Sequence, residues 1–551
     1  EELMLVPCKV IRFNEAMIID FRSFPDGAEI EADLCIVGSG PAGIALAAEF
    51  LDSPLRVLLC ESGGPQLDAA NDELSDGEIV GHPSQGLREG RARAFGGTSR
   101  LWAGQCIELD DIDFEDRPWV PYSGWPITKT VLAPYYQRAE HVFGLRDELY
   151  DKRIWQSFGV PTPELDARQV GVKFTIFAPI VNLGPHVRRR FEASRNVRTL
   201  LHATVTKLRT EEGTSIVRQA LLRSFAGNSA TVRARAFAVC CGGIETARLL
   251  LLSNDQERGG LGNRRGLVGR FLQDHPNGYT AEVTTADPKR LQDTFNLFYR
   301  DRKKYFAKLP LSADVQRKTG ALNCTAHLVY DYPDDSGIGA ARALVRALRK
   351  RKAAPPGTLR RLSSAPAAVW STATRRYLRG FSPTGTPTAI RLKCHMEQAP
   401  NPDSRVLLSD RRDRFNQPRV QLDWRLNELE LHTARVLTEC IASEFARLGL
   451  GTVNPAPWLR SDHWSDELFD AYHHIGTTRM SLTPEDGVVD TDLRVHDLQG
   501  LFVASSAVFP TSGYANPTLS IVALALRLAD HLKLVLSDAP TPSLSHATIS
   551  K

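Results

Sequence analysis

The run Asp33-Leu34-Cys35-Ile36-Val37 passes without a break into Gly38-Ser39-Gly40-Pro41-Ala42-Gly43, and this junction constrains the fold more than any other stretch. The apolar run reads as a short buried strand, and the Ala-rich segment through Leu51 reads as a helix. A second strand, Arg56 to Cys60, ends on Glu61. Strand, glycine turn, helix, strand, acid is the order of a dinucleotide-binding βαβ unit. Gly38, Gly40 and Gly43 let backbone approach a pyrophosphate at the helix N-terminus, and Glu61 can accept from ribose hydroxyls. A glycine turn used only for packing explains the glycines but not the strand before them together with the acid after.

Near the other end, Tyr472-His473-His474-Ile475-Gly476-Thr477-Thr478-Arg479-Met480 offers imidazoles that can take a proton near neutral pH. Some forty residues on, Asn516-Pro517-Thr518 precedes an apolar run, which predicts a helix with Asn516 as N-cap and Pro517 at the first position. Such a helix presents free N–H groups and a partial positive charge to whatever lies before it. A His base beside an anion-stabilising helix end suits oxidation of an alcohol.

The 551 residues exceed the usual single core and predict two connected domains. No apolar run reaches the ~18–20 residues of a membrane span, and no signal-peptide pattern is present, so a cytoplasmic protein is expected. The nine cysteines show no metal or haem spacing, so no metal site is expected and the thiols read as reduced and buried. The net charge of +4 is local in origin. Between Asp335 and Glu397 stand thirteen Lys or Arg and no acid. A basic helix at 341–350 and a second at 367–378 make 336–385 a solvated insertion, or else an element touching a membrane surface or an acidic partner. Nothing accompanies that charge to suggest nucleic acid.

Along the chain, Ala94 to Gly104 includes Gly96-Gly97-Thr98-Ser99, a loop able to press on a flat ring or a phosphate. Aromatic and proline-rich sequence fills 119–196. Strands follow at 200–208, 216–221 and 231–234, then a buried strand at 237–241 turning at Gly242-Gly243 into a helix to Leu252. Gly266 to Pro276 is a loop whose His275 reads as structural or cofactor-adjacent rather than catalytic. A second sheet is expected over 277–335 and again from 389, a long helix over 428–448, a buried strand at 501–504, and a final helix to about Leu536. The Pro/Ser/Thr-rich tail from Ser537 is expected to be disordered.

In this order and at these separations, the motifs resemble the glucose–methanol–choline (GMC) flavin oxidoreductases. The motifs are Val37 to Gly43 with Glu61, Gly96 to Ser99, Gly242 to Arg248, Gly269 to Pro276, His473 to Thr477, and Asn516-Pro517. The resemblance implies an α/β and α+β chain. A Rossmann-like FAD domain is assembled from 17–120, 195–275 and 460–536. A substrate domain with a large antiparallel sheet comes from 121–194 and 276–459. It places the catalytic base on His473, with His474 as rival, and the second active-site residue on Asn516. FAD contacts fall on Gly38, Gly40, Gly43, Glu61, Gly96, Gly97 and Thr98, and further on Ser99, Trp102, Val205, Gly242, Ser505, Pro517 and Thr518.

The branch most similar in pattern oxidises sugars and glycosides, which implies a sugar, glycoside or polyol substrate. Electrons would pass to O₂ or another acceptor. A bulkier apolar alcohol, or a non-redox flavoprotein acting as a lyase, are the alternatives. The chain departs from the pattern twice. Leu101 stands where a His tethers FAD in some members, so FAD should be non-covalent. Ser505-Ser506 replaces an acid that contacts the cofactor.

Overall fold

A computed structural model describes residues 17–333, 353–363 and 374–537, with positions 340, 344, 347 and 370. Much of the basic insertion, including most of the expected helix at 341–350 and half of that at 367–378, lies outside the described residues, as do the residues beyond Ser537. The fold is mixed α/β built on two eight-stranded sheets.

The first sheet grows from the opening βαβ unit. Leu34 to Val37 and Val57 to Cys60 are buried along their length, as strands covered on both faces must be. They pair in parallel, and Val197–Leu201 and Ile18–Asp20 extend the sheet beyond Val57–Cys60. On the other side Ala28–Val37 pairs in parallel with Ser229–Val239, whose end also takes Leu501–Val503. The start of that long strand instead turns antiparallel into Val217–Arg223 and Thr204–Thr210. The single strand expected over 200–208 is therefore two. His202, at φ +56°, breaks it, and the halves lie toward opposite sides of the sheet, only the second at an edge.

The helix after the glycine turn runs Pro41–Ala48, three residues short of the expected end. Gly38 sits at φ +97°, and a Cβ on Gly43 would fall 1.9 Å from the Gly38 carbonyl oxygen. Only a glycine at each position lets this helix seat on the turn.

The second sheet is antiparallel, in the order 452–455, 277–284, 389–396, 324–331, 303–310, 173–177, 105–106. Gln105–Cys106 pairs here, although it precedes the expected domain boundary at 120. The helix Glu428–Arg447 packs behind this sheet and opens with a capping box between Asn427 and Glu430. Arg117 and Glu397 form a fully buried ion pair, Nη2 to Oε1 2.6 Å, beside it. The last helix runs Thr518–Ser537, so Ser537 belongs to it rather than to the tail. Among the described residues no helix is long and apolar enough to cross a membrane.

Candidate active site

The two sheets enclose a cavity of ≈ 640 Å³ that reaches from the glycine turn to the histidine segment. At one end Gly38, Gly40, Pro41 and Ala42 line it. Gly40 caps its helix without a side-chain bond, leaving the first N–H groups free for an anion. Glu61, almost fully buried, accepts from Ser39 N–H, Ser39 Oγ and Gly63 N–H, at 3.0, 2.6 and 2.9 Å. A carboxylate has about four acceptor sites, so one stays open to the cavity.

Gly97, Thr98, Trp102, Val205, Gly242, Ser505, Pro517 and Thr518 also line the cavity, and half-exposed Leu101 joins them. Gly43, Gly96 and Ser99 do not. Ser99 is buried, with Oγ donating to the Gly96 carbonyl and accepting from Leu183 N–H, so it holds the loop from behind.

His473 is positioned by contacts from distant parts of the chain. Gln273 and Ile475 exchange backbone bonds as an antiparallel bridge. Asp274 accepts from Ala471, His275 and His473 N–H groups, at 2.9, 2.6 and 2.9 Å. Its burial pushes the carboxyl up to about 7, against those three bonds. Tyr472, just before His473, is held at φ +61°, a conformation worth about 1–3 kcal/mol of strain. Its hydroxyl donates to Gln85 Oε1 at 2.7 Å.

Hydrogen bonding assigns the protons. His275 Nε2 lies 3.3 Å from the Ser512 carbonyl oxygen, which can only accept, so Nε2 carries hydrogen. Burial holds His275 down to about 4, so the ring is neutral and its Nδ1 bare. His473 Nδ1, 2.7 Å away, must then be the donor. That leaves a lone pair on His473 Nε2, 3.4 Å from the Asn516 side-chain amide. Burial, then the neighbouring His275 and His474, hold His473 well below its ordinary range, so it stays neutral and able to accept a proton.

Asn516 thus faces His473 and does not cap the helix. The Pro517 carbonyl accepts the first helical bond, from Ile521 N–H at 2.8 Å, and the helix starts at Thr518, one residue later than expected. His474 lines the cavity, but its Nε2 has no partner, and burial followed by Arg91 holds it down to about 3.

Several cavity residues were not singled out in the sequence. His395 Nδ1 donates to Asn277 Oδ1 at 2.8 Å, which leaves a buried, unpartnered Nε2. Lys308, His327 and Lys393 line the same wall. Their signal in the sequence is slight, a basic residue at every second position of otherwise apolar strands, as in Lys393-Cys394-His395. The ligand atoms of His275, His395 and His473 lie within 4.8 Å of one another, close enough to suggest a metal. Both nitrogens of His275 are already engaged, which favours a proton-ordering chain over a ligand set.

Residues 400–525 match the family model described as GMC oxidoreductase. The chain is 23% identical to 6'''-hydroxyparomomycin C oxidase of Streptomyces lividus, over 92% of this chain and 93% of that one. It is 22% identical to 2-methyl-1,2-propanediol dehydrogenase of Mycolicibacterium austroafricanum, over 92% and 96%. The structure of pyridoxine 4-oxidase from Mesorbium loti superposes with a TM-score of 0.55 at 19% identity, covering 91% of this chain and 98% of that one.

Proposed function

We propose that the chain, as a GMC oxidoreductase, oxidises the CH–OH group of a sugar, glycoside or polyol to a carbonyl with non-covalent FAD. The observation that carries this reading is the bare Nε2 of His473 beside the Asn516 amide at the inner end of the cavity. Relatives that act on hydroxyparomomycin C and on 2-methyl-1,2-propanediol support a polyhydroxylated substrate.

The residues suit FAD. The uncapped Pro41–Ala48 helix end would take the pyrophosphate and Glu61 the ribose hydroxyls. Thr98, Trp102, Val205, Ser505 and Thr518 would line the ring end. Leu101 has no nucleophile, so no covalent tether forms at that position. FAD supplies the hydride acceptor for the substrate carbon. His473 Nε2 takes the hydroxyl proton, and His275 holds the ring in the tautomer that leaves Nε2 free. The Asn516 amide donates to the substrate oxygen and fixes its approach. The N-terminus of the Thr518–Ser537 helix offers a positive dipole end where negative charge collects.

The test is an absorbance spectrum of the holoenzyme before and after anaerobic addition of sugars, glycosides and aliphatic alcohols. A flavin band bleached by polyhydroxylated compounds supports the proposal, and readmitted air then separates oxidase from dehydrogenase. A flavin that no alcohol bleaches overturns it.

A further inference from the structure

The second sheet gives the cavity a wall with an unusual charge. In the strand register His327 stands opposite Lys393, and Thr325 opposite His395. Lys308 on the next strand reaches His327, Nζ to Nδ1 3.3 Å. Phe306, two residues before Lys308, and Phe469 complete the patch, with Lys308 Nζ 5.2 Å from the Phe306 ring centroid and Lys393 Nζ 4.8 Å from that of Phe469. Lys308 is only 7% exposed and Lys393 half-buried.

A buried ammonium ordinarily has a carboxylate. Among the described residues neither lysine has one. The four acids lining the cavity are engaged elsewhere. Glu61 holds Ser39 and Gly63. Glu245 pairs with Arg91, Arg93 and Arg248, and Asp413 with Arg248. Asp470 accepts from Ser84 Oγ and Gln85 N–H. Burial, then Lys393, holds Lys308 down to about 7, a burden that a bound anion would relieve.

We propose that Lys308 and Lys393 bind an anionic group, carboxylate or phosphate, on the substrate whose carbinol faces His473. The inference deepens the alcohol-oxidising reading and rests on it. Lys393 is two residues from His395, whose ring centroid is 5.9 Å from that of His473. A two-residue step along a strand spans ~6.6 Å, so the anion sits several bonds from the reacting carbon, as in a sugar acid or sugar phosphate. His327 and the edges of Phe306 and Phe469 frame it. A protonated amine at this position meets like charge.

The experiment compares glucose, glucuronate, glucose 6-phosphate and glucosamine as anaerobic reductants of the holoenzyme, with calorimetric binding of each. Charge-assisted bonds from two ammonium groups predict that one anionic member exceeds glucose in kred/Kd by about ten- to hundredfold. Whether that member is glucuronate or glucose 6-phosphate identifies the anion. In Lys308→Met and Lys393→Met, each checked for an intact flavin spectrum, the anionic-to-neutral ratio should fall toward one. Equal use of glucose, preference for glucosamine, or a ratio that survives both substitutions overturns the proposal. If no compound bleaches the flavin, the oxidation reading is what fails. Lysine-dependent binding of an anion by calorimetry would still uphold the anion site, and its absence would overturn it.

Discussion

His473 Nδ1 lies 2.7 Å from His275 Nδ1, across 198 residues of sequence. Two like nitrogens at that distance share one proton, and the Ser512 carbonyl decides which ring holds it by claiming the Nε2–H of His275. His275, expected to be structural or cofactor-adjacent, thereby sets the tautomer of His473. It is a positioning residue, since it acts through His473.

His473→Ala should keep bound FAD, because the cofactor groove is built elsewhere, but lose alcohol-driven flavin reduction by roughly 10²–10⁴-fold. Stopped-flow reduction under anaerobic conditions measures this. A variant reduced as fast as the parent would move the base elsewhere.

Replacing the positioning ring has a different signature. His275→Phe leaves His473 Nδ1–H without its acceptor, which releases the tautomer. Flavin reduction should slow by about tenfold or more, since an unsatisfied buried donor costs ~1–3 kcal/mol. The acid limb of the pH profile should move with it, which a purely structural role would not produce. His275→Gln, whose side-chain oxygen can accept, should recover part of the rate.

The pH dependence follows from the sign of the shift on His473. Burial and two neighbouring imidazoles depress its pKa from the ordinary 6.5, favouring the neutral form. The base is therefore competent above its lowered value and is lost only as pH falls through it. The acid limb of kcat/KM should lie below pH 6.5. A limb at or above 6.5 would contradict the placement of the base in this buried cluster.

Away from the cavity, Arg117 and Glu397 are each fully buried, and Glu397 also accepts from Asn323 N–H. Arg117→Met leaves the carboxylate uncompensated and should destabilise the fold by about 3–5 kcal/mol. Urea denaturation followed by fluorescence checks this, and a loss below ~1 kcal/mol would show that the carboxylate finds another partner.

The glycine turn and its flanking strands were legible because their pattern is local. An apolar run, a tight turn and an acid at fixed spacing have few other uses. The long helix expected over 428–448 stands at Glu428–Arg447, and the structure adds the Asn427 and Glu430 capping box at its start. The start of the last helix was misjudged by one residue because Asn516 has two possible partners, the helix end and His473, and its sequence neighbours do not choose between them.

The basic wall of the cavity was not legible. Lys308, His327, Lys393 and His395 stand on three strands, and each alone reads as a polar residue on an alternating strand.

Sequence by itself determined the βαβ core, the order of the motifs, and the histidine pair near the C-terminal end. Those depend on contacts between residues close in the chain, where spacing and side-chain type suffice. Only tertiary structure decided which histidine nitrogen is bare, what orders its proton, and which lysines face the cavity. These depend on strand register and loop crossings that join residues up to two hundred positions apart, and a one-residue slip in register would turn every such side chain to the opposite face.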